Sequence, residues 1–304
     1  MIEIADVTKM KVEKLQGLPT EWNNIRMDVL RADLVHPAVS GNKWFKLKYH
    51  IQTAVENGFK GLATFGGAYS NHIHATAYAA RSMGLRSLIV VRGQRPDRLS
   101  PTLNDCETFG SNLLFTDHRQ YREHEKSGIE WTKNYPDYFW IPEGGRSPLG
   151  LQGIPEMLLP VDLPSYTHIC CAVGTGTMMA GLSTALLKHQ QLIGIPVLKL
   201  DERTDQTILP YVREHARDKN IFMAYGYHEG GYARCPEALI DWMNSFSLRH
   251  GIPLDFVYTG KLFKAITQLA ENGYFEKDSR LLLVHSGGLQ GNRSLPPGLL
   301  AKPQ

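Results

Sequence analysis

His168-Ile169-Cys170-Cys171-Ala172-Val173 runs without interruption into Gly174-Thr175-Gly176-Thr177-Met178-Met179-Ala180-Gly181. After His168 the first stretch is small, apolar and free of charge, which predicts a strand buried on both faces, as in a parallel sheet. The glycine and hydroxyl turn then opens a helix, and the first N–H groups of a helix have no partner inside it, so they point at any anion placed before them. Strand, glycine turn and helix form the first half of a βαβ unit. The same alternation recurs along the chain and predicts an α/β fold.

Working outward, strands are expected at Met27 to Arg31, Leu62 to Phe65, Ser87 to Val91, Asp137 to Trp140, Ile193 to Leu200, Ile221 to Ala224 and Arg280 to His285. From Lys43 the apolar residues Trp44, Leu47, Ile51, Ala54 and Val55 recur at helical spacing, with Asn57-Gly58 as the stop. Further helices are expected from Pro236 to Arg249 and from Lys261 to Glu271. The least periodic stretch, Pro142 to Pro155, holds four glycines and reads as the crossing between two α/β units.

Composition narrows the function. A chain of 304 residues has room for about two domains. With 42% hydrophobic and 21% charged residues it can bury a core. Thirty-three Lys and Arg against thirty Asp and Glu leave +3 without a long basic run, too little for a nucleic-acid footprint. Cys106, Cys170, Cys171 and Cys235 show no CxxC spacing, so neither a zinc cluster nor a disulfide framework is expected, and a reducing cytoplasm fits. Glu3 and Asp6 interrupt any signal core, and apolar runs such as Leu281 to Val284 are too short to span a membrane, so a soluble, unprocessed protein is expected.

Five blocks could carry chemistry. In Ser40-Gly41-Asn42-Lys43 a lysine stands at the first position of a helix, where the dipole disfavours the ammonium form and makes a nucleophilic amine more accessible. Lys46 shares its face and could hold an anion, while a solvated surface lysine is the plainer alternative. In Phe65-Gly66-Gly67-Ala68-Tyr69-Ser70-Asn71-His72, Ser70 reads as an N-cap, and the open amides with the Ser and Asn side chains could receive a carboxylate. His72 and His74 face different ways on a helix, so no metal site is expected. Gly174 to Thr177 suits a phosphate. It is neither a Walker loop nor a full dinucleotide fingerprint, since Met179 replaces the last glycine, although Asp201 keeps a nicotinamide dehydrogenase as an alternative. Val284-His285-Ser286-Gly287-Gly288 ends a strand in a hydroxyl that could meet a ring nitrogen, and in Val257-Tyr258-Thr259-Gly260-Lys261 the tyrosine could stack on a flat ring. A simple turn and a core tyrosine remain the alternatives for those two.

Together these blocks resemble the family of 1-aminocyclopropane-1-carboxylate deaminases and D-cysteine desulfhydrases, pyridoxal-phosphate enzymes of the tryptophan-synthase-β-like class. The likeness covers about Met27 to Gly291 through GNKxxKL (Gly41 to Leu47), GGxxSN (Gly66 to Asn71), TGT (Thr175 to Thr177), VYTGK (Val257 to Lys261) and HSGG (His285 to Gly288). It implies fold type II: two open twisted, mostly parallel sheets flanked by helices, a small domain at 47–152, a large one at 1–46 and 153–304, and the cofactor between them. By position, Lys43 resembles the Schiff-base lysine and Asn71 the partner of the cofactor's phenolic oxygen. Ser70 resembles the substrate-carboxylate site, and His72 is placed with Asn71 and Tyr258 among the substrate-binding residues. Gly174, Thr175, Gly176 and Thr177 resemble the phosphate cup, joined by Lys46, and Tyr258 resembles the aromatic residue facing ring and substrate. A homodimer acting on a small amino acid is implied.

The departures choose a branch. True cyclopropane deaminases of the family carry a glutamate after the tyrosine of VYxGK and an apolar residue after the histidine of HxGG; here these positions are Thr259 and Ser286. A neutral hydroxyl leaves the pyridine largely unprotonated and a weaker electron sink. That suits loss of an α-proton followed by departure of a β-substituent, with Lys43 as base and Ser70 and Tyr258 beside it, more than opening of a cyclopropane. D-Cysteine giving pyruvate, sulfide and ammonia is the expected reaction, ring opening of aminocyclopropane carboxylate the alternative, and a silent amino-acid-binding homologue a more distant one.

Overall fold

The computed structural model describes residues 4–121 and 129–301. Among them ten strands are β1 (Val12–Lys14), β2 (Arg26–Arg31), β3 (Gly61–Gly66), β4 (Arg86–Arg92), β5 (Ser111–Thr116), β6 (Tyr138–Ile141), β7 (His168–Val173), β8 (Gln191–Pro196), β9 (Asn220–Met223) and β10 (Arg280–His285). The helices are α1 (Asn42–Glu56), α2 (Asn71–Ser82), α3 (Pro101–Thr108), α4 (Ile129–Asn134), α5 (Pro148–Gln152), α6 (Thr177–Ala185), α7 (Ile208–Ala216), α8 (Glu237–His250) and α9 (Thr259–Glu271). Six strands form one sheet in the order β1-β2-β10-β7-β8-β9, parallel except for β1, and four form a second, wholly parallel sheet in the order β5-β4-β3-β6.

The central strands are continuous apolar runs because helices cover both faces. Leu282 of β10 pairs with Ile169 of β7, and Val284 with Leu30 of β2, all fully buried. Helix α1 lies between the sheets: Leu47 and Ile51 join one core cluster with Leu62 of β3 and Ile169 of β7. Truncating either to Ala would cost about 2–5 kcal/mol. On the opposite face of the large sheet, Phe263 and Ile266 of α9 pack with Leu281 and Leu283. Among the described residues no helix is long and apolar enough to cross a membrane.

The differences from the sequence expectations have local causes. Strands β1 and β5 were not anticipated; both are sheet edges, where polar residues such as Glu13 and Asn112 meet water and blur the apolar run. Strand β8 ends at Pro196, not Leu200, and the chain then turns so that Leu198 reaches the cavity described below. Lys43 is the second residue of α1, after Asn42. Helix α9 starts at Thr259, not Lys261, and the carboxylate of Asp255, ahead of the N-cap residue Tyr258, accepts from Tyr258 N and Thr259 N at that start. The expected crossing at Pro142 to Pro155 contains short helical turns at Glu143–Gly145 and α5, followed by a 3-10 turn at Ile154–Leu158.

Both sheets send the carboxyl ends of parallel strands to one crevice, the place where open α/β sheets bind ligands. Gly67 follows β3, Arg92 ends β4, Glu143 follows β6, Gly174 follows β7 and Ser286 follows β10, and all of them line it.

Candidate active site

The crevice encloses about 540 Å³. At its floor Lys43 is half-buried, its Nζ donating to Asn42 Oδ1 at 2.5 Å and lying 5.7 Å from the centre of the Tyr258 ring. Desolvation pushes the Lys43 amine down to about 8, against the pull of Asp255. Lys46 is buried one helical turn on, and its amine is pushed well below the ordinary range by burial and then by the charge of Lys43. Loss of water therefore favours a neutral amine here. The backbone that delivers Lys43 depends on Gly41, whose φ of +57° disfavours other residues and whose Cβ would fall 2.1 Å from the Ser286 carbonyl oxygen.

The α6 start is open in a specific way. Gly176 occupies the N-cap at φ +85° with no side-chain cap, so the first N–H groups of α6 have no side-chain acceptor. The hydroxyls of Thr175 and Thr177 lie 3.0 Å apart beside them. Gly174 sits against Tyr258, where a Cβ would approach the ring to 3.2 Å. Donors, hydroxyls and two desolvated amines facing one cavity fit a phosphate attached to an aldehyde-bearing ring.

On the opposite wall Ser70 caps α2, its Oγ accepting from His72 N at 3.2 Å. Asn71 Oδ1 accepts from Gln290 Nε2, which ties this wall to the segment after β10. His72 Nε2 is 3.0 Å from Thr64 Oγ1; because that hydroxyl donates to the Ile141 carbonyl, the imidazole carries its proton on Nε2. Burial and the nearby Lys46 keep it neutral. His74 turns away to Asp105 at 2.9 Å. Among the described residues no group of three or more His, Cys, Asp or Glu side chains is arranged to hold a metal ion.

Of the two ring-nitrogen candidates, the structure brings only one to the cavity. Ser286 lines it, whereas Thr259 is fully buried and does not. The Thr259 hydroxyl donates to Asp255 Oδ2 at 2.7 Å and accepts from Asp255 N at 2.7 Å, so both of its roles are taken. Sequence reasoning also missed residues that belong to this wall. The carboxylate of Asp255 accepts from Tyr258 N ahead of α9, and the Tyr232 ring meets that of Tyr258 edge-on with centroids 6.2 Å apart. Burial raises the Tyr258 phenol well above its ordinary range, and the neighbouring Tyr232 with the negative charges of Asp255 and Glu143 adds to the effect. Arg92 and Glu143 follow strand ends and could have been found by that position alone. Tyr232 sits in a glycine-flanked loop with no such signal.

Comparison with known proteins agrees with this geometry. Residues 24–287 match the family described as Pyridoxal-phosphate dependent enzyme. The chain is 29% identical over 295 residues to a Pyrococcus horikoshii protein named "Putative 1-aminocyclopropane-1-carboxylate deaminase", covering 91% of this chain and 89% of the relative. It is 25% identical over 287 residues to a D-cysteine desulfhydrase of Salmonella schwarzengrund, covering 86% of each. The crystal structure of an ACC deaminase homologue superposes with a TM-score of 0.79 at 26% identity, covering 93% of this chain and 90% of that one. A hydrogen sulfide-producing enzyme from Fusobacterium nucleatum shares the fold, with a TM-score of 0.66 at 14% identity, over 94% and 98% of the two chains.

Proposed function

Since the chain belongs to the pyridoxal-phosphate dependent enzymes, in the family of 1-aminocyclopropane-1-carboxylate deaminases and D-cysteine desulfhydrases, we propose that it deaminates a small amino acid by β-elimination, with D-cysteine as substrate. Pyridoxal phosphate is the cofactor, and when bound it supplies a ring that accepts charge from the α-carbon. The observation that carries the choice of reaction is Ser286: β10 delivers a neutral hydroxyl to the cavity, and the neighbouring candidate, Thr259, is closed off by Asp255.

The roles proposed for the chain's own residues follow from their surroundings. Lys43 would hold the cofactor through its amine, and as a free amine it takes the α-proton; a value near 8 leaves a useful neutral fraction at neutral pH. Lys46 and the donors of Gly174 to Thr177 hold the phosphate. Ser70 releases its cap to hold the substrate carboxylate with the N–H groups at the α2 start, while Asn71 and neutral His72 shape the same wall. Tyr258 faces ring and substrate, and its phenol, kept protonated by burial and Tyr232, can donate a hydrogen bond toward the β-substituent without losing its proton. The segments 47–152 and 1–46 with 153–304 form the two walls, and a homodimer is expected, to be checked by light scattering.

A second reading, opening of the cyclopropane ring, draws support from the names of relatives. Those called 1-aminocyclopropane-1-carboxylate deaminases reach 29% identity against 25% for the D-cysteine desulfhydrases. Measuring kcat/KM on D-cysteine, scored as sulfide and pyruvate, and on aminocyclopropane carboxylate, scored as 2-oxobutanoate, separates the two. A preference for the cyclopropane would overturn the electronic argument from Ser286 and leave the cofactor contacts standing.

A further inference from the structure

His285 is fully buried where three chain segments meet: 33–43, which ends at Lys43; 253–258, which ends at Tyr258; and 285–288, which carries Ser286. Its Nε2 lies 2.7 Å from the Pro253 carbonyl, and since a carbonyl only accepts, that nitrogen bears a hydrogen. Its Nδ1 accepts from Gly287 N at 3.3 Å and lies in contact with Asp33 Oδ1, also at 3.3 Å. One imidazole therefore touches all three segments.

Asp33 is itself held. Arg31 grips its carboxylate with Nε at 2.9 Å and Nη2 at 2.8 Å, and reaches Glu13 at 3.0 Å with Nη1. Burial works against the ionised form, yet the neighbouring His285 ring and the Arg31 guanidinium outweigh it and keep the Asp33 carboxyl below its ordinary range. The Asp33 carbonyl accepts from Ser40 Oγ at 3.0 Å, and Asn42 N donates to the Ser286 carbonyl at 3.2 Å. The lysine segment and the serine turn are thus interlocked through their backbones, with the Asp33–His285 contact beneath.

We infer that His285, held by Asp33, is a positioning residue that sets the Lys43, Tyr258 and Ser286 segments relative to one another for reaction. It touches neither substrate nor cofactor; its effect passes through the segments it joins. The inference depends on the cofactor family and not on which amino acid is the substrate.

The two nitrogens can be tested separately. In His285→Gln the amide can reach the Pro253 carbonyl while the Asp33 contact is lost; in His285→Asn the amide can reach Asp33 while the Pro253 contact is lost. Each holoenzyme should lose about tenfold in kcat, the equivalent of one hydrogen bond to a charged or buried group, with KM on the preferred substrate changed by less than about threefold. The absorption band of the lysine-bound cofactor should move in both, because Ser286 and Lys43 no longer hold their mutual placement. Wild-type kcat and an unmoved band in both variants would overturn the inference, as would a loss confined to KM. If the variants do not fold, 15N spectra of the wild-type imidazole decide: the His285 signals should shift when apoenzyme is reconstituted with pyridoxal phosphate. Unchanged signals would place His285 outside the coupled segments. Activity failing on every amino acid offered would defeat the proposed function, but the band and the imidazole signals would still report on His285.

Discussion

Two helix starts border the same cavity and are finished in opposite ways. At α9 the carboxylate of Asp255 accepts from the N–H groups of Val257 at 3.0 Å, Tyr258 at 2.8 Å and Thr259 at 2.9 Å, so the chain supplies its own anion. At α6 the glycine turn brings no side-chain acceptor, and Lys43 and Lys46 line the cavity it faces. An anion is stabilised at either end by the same partial charges. What differs is its source: a side chain at α9, and by the reading above a cofactor phosphate at α6. The closed end also explains the failure of Thr259 as a ring partner, because the carboxylate that satisfies the helix takes the hydroxyl as well.

The largest expected effect tests the closed end. Asp255→Ala leaves three amide hydrogens and the Thr259 hydroxyl without their acceptor in a buried place. The loss in stability should be about 3 kcal/mol or more, the sum of a lost cap and unsatisfied donors. Urea unfolding of the holoenzyme measures it. A loss below about 1 kcal/mol, within the range of an ordinary surface change, would mean that α9 needs no internal anion and that the contrast with α6 is empty.

The open end should respond in affinity rather than stability. Thr177 is fully buried with its hydroxyl beside Thr175, so Thr177→Ala removes one donor without exposing the helix. The dissociation constant for pyridoxal phosphate should rise about ten- to a hundredfold, from roughly 1.5–3 kcal/mol for a hydrogen bond to a charged group. Fluorescence titration of the apoenzyme checks this. An unchanged constant would move the phosphate away from α6, whereas a large loss of apoenzyme stability would recast Thr177 as a core residue.

Much of this contrast was legible in the sequence on one side only. The α6 start announces itself because glycines and hydroxyls crowd between an apolar strand and a helix, a local pattern readable without a partner. The Ser70 cap and the strand at β10 were legible for the same reason. Asp255 was not, since an aspartate four residues before a threonine reads as loop until the fold buries it. Tyr232 was hidden too, because it meets Tyr258 only through the way the chain returns over the large sheet. The edge strands β1 and β5 escaped because half of each faces water, so neither shows the unbroken apolar run that identifies β7 and β10.

The smallest effect concerns the amines that floor the open end. In the folded apoenzyme Lys43 has its amine pushed down to about 8 by desolvation, whereas in the unfolded chain it titrates near its ordinary 10.5. Between those values the unfolded chain holds a proton that the folded one has released, so raising the pH through this window favours the folded state. Below pH 8 both forms are charged and the desolvation penalty is fully present. Lys43→Met lacks the titrating group, so the stability of wild-type apoenzyme relative to this variant should climb from pH 7.5 to 9.5. Tyrosines and cysteines that titrate in the same range are common to both proteins and cancel in the difference, while Lys46, relieved of the Lys43 charge in the variant, adds a contribution of the same sign. Lys43 is only half-buried, so solvent partly screens the amine and the slope should fall well below the limiting value of about 1.4 kcal/mol per pH unit. Parallel stability curves would show that Lys43 is solvated like a surface lysine, and the two helix starts would then differ in their side-chain acceptors but not in the electrostatics of the floor beneath them.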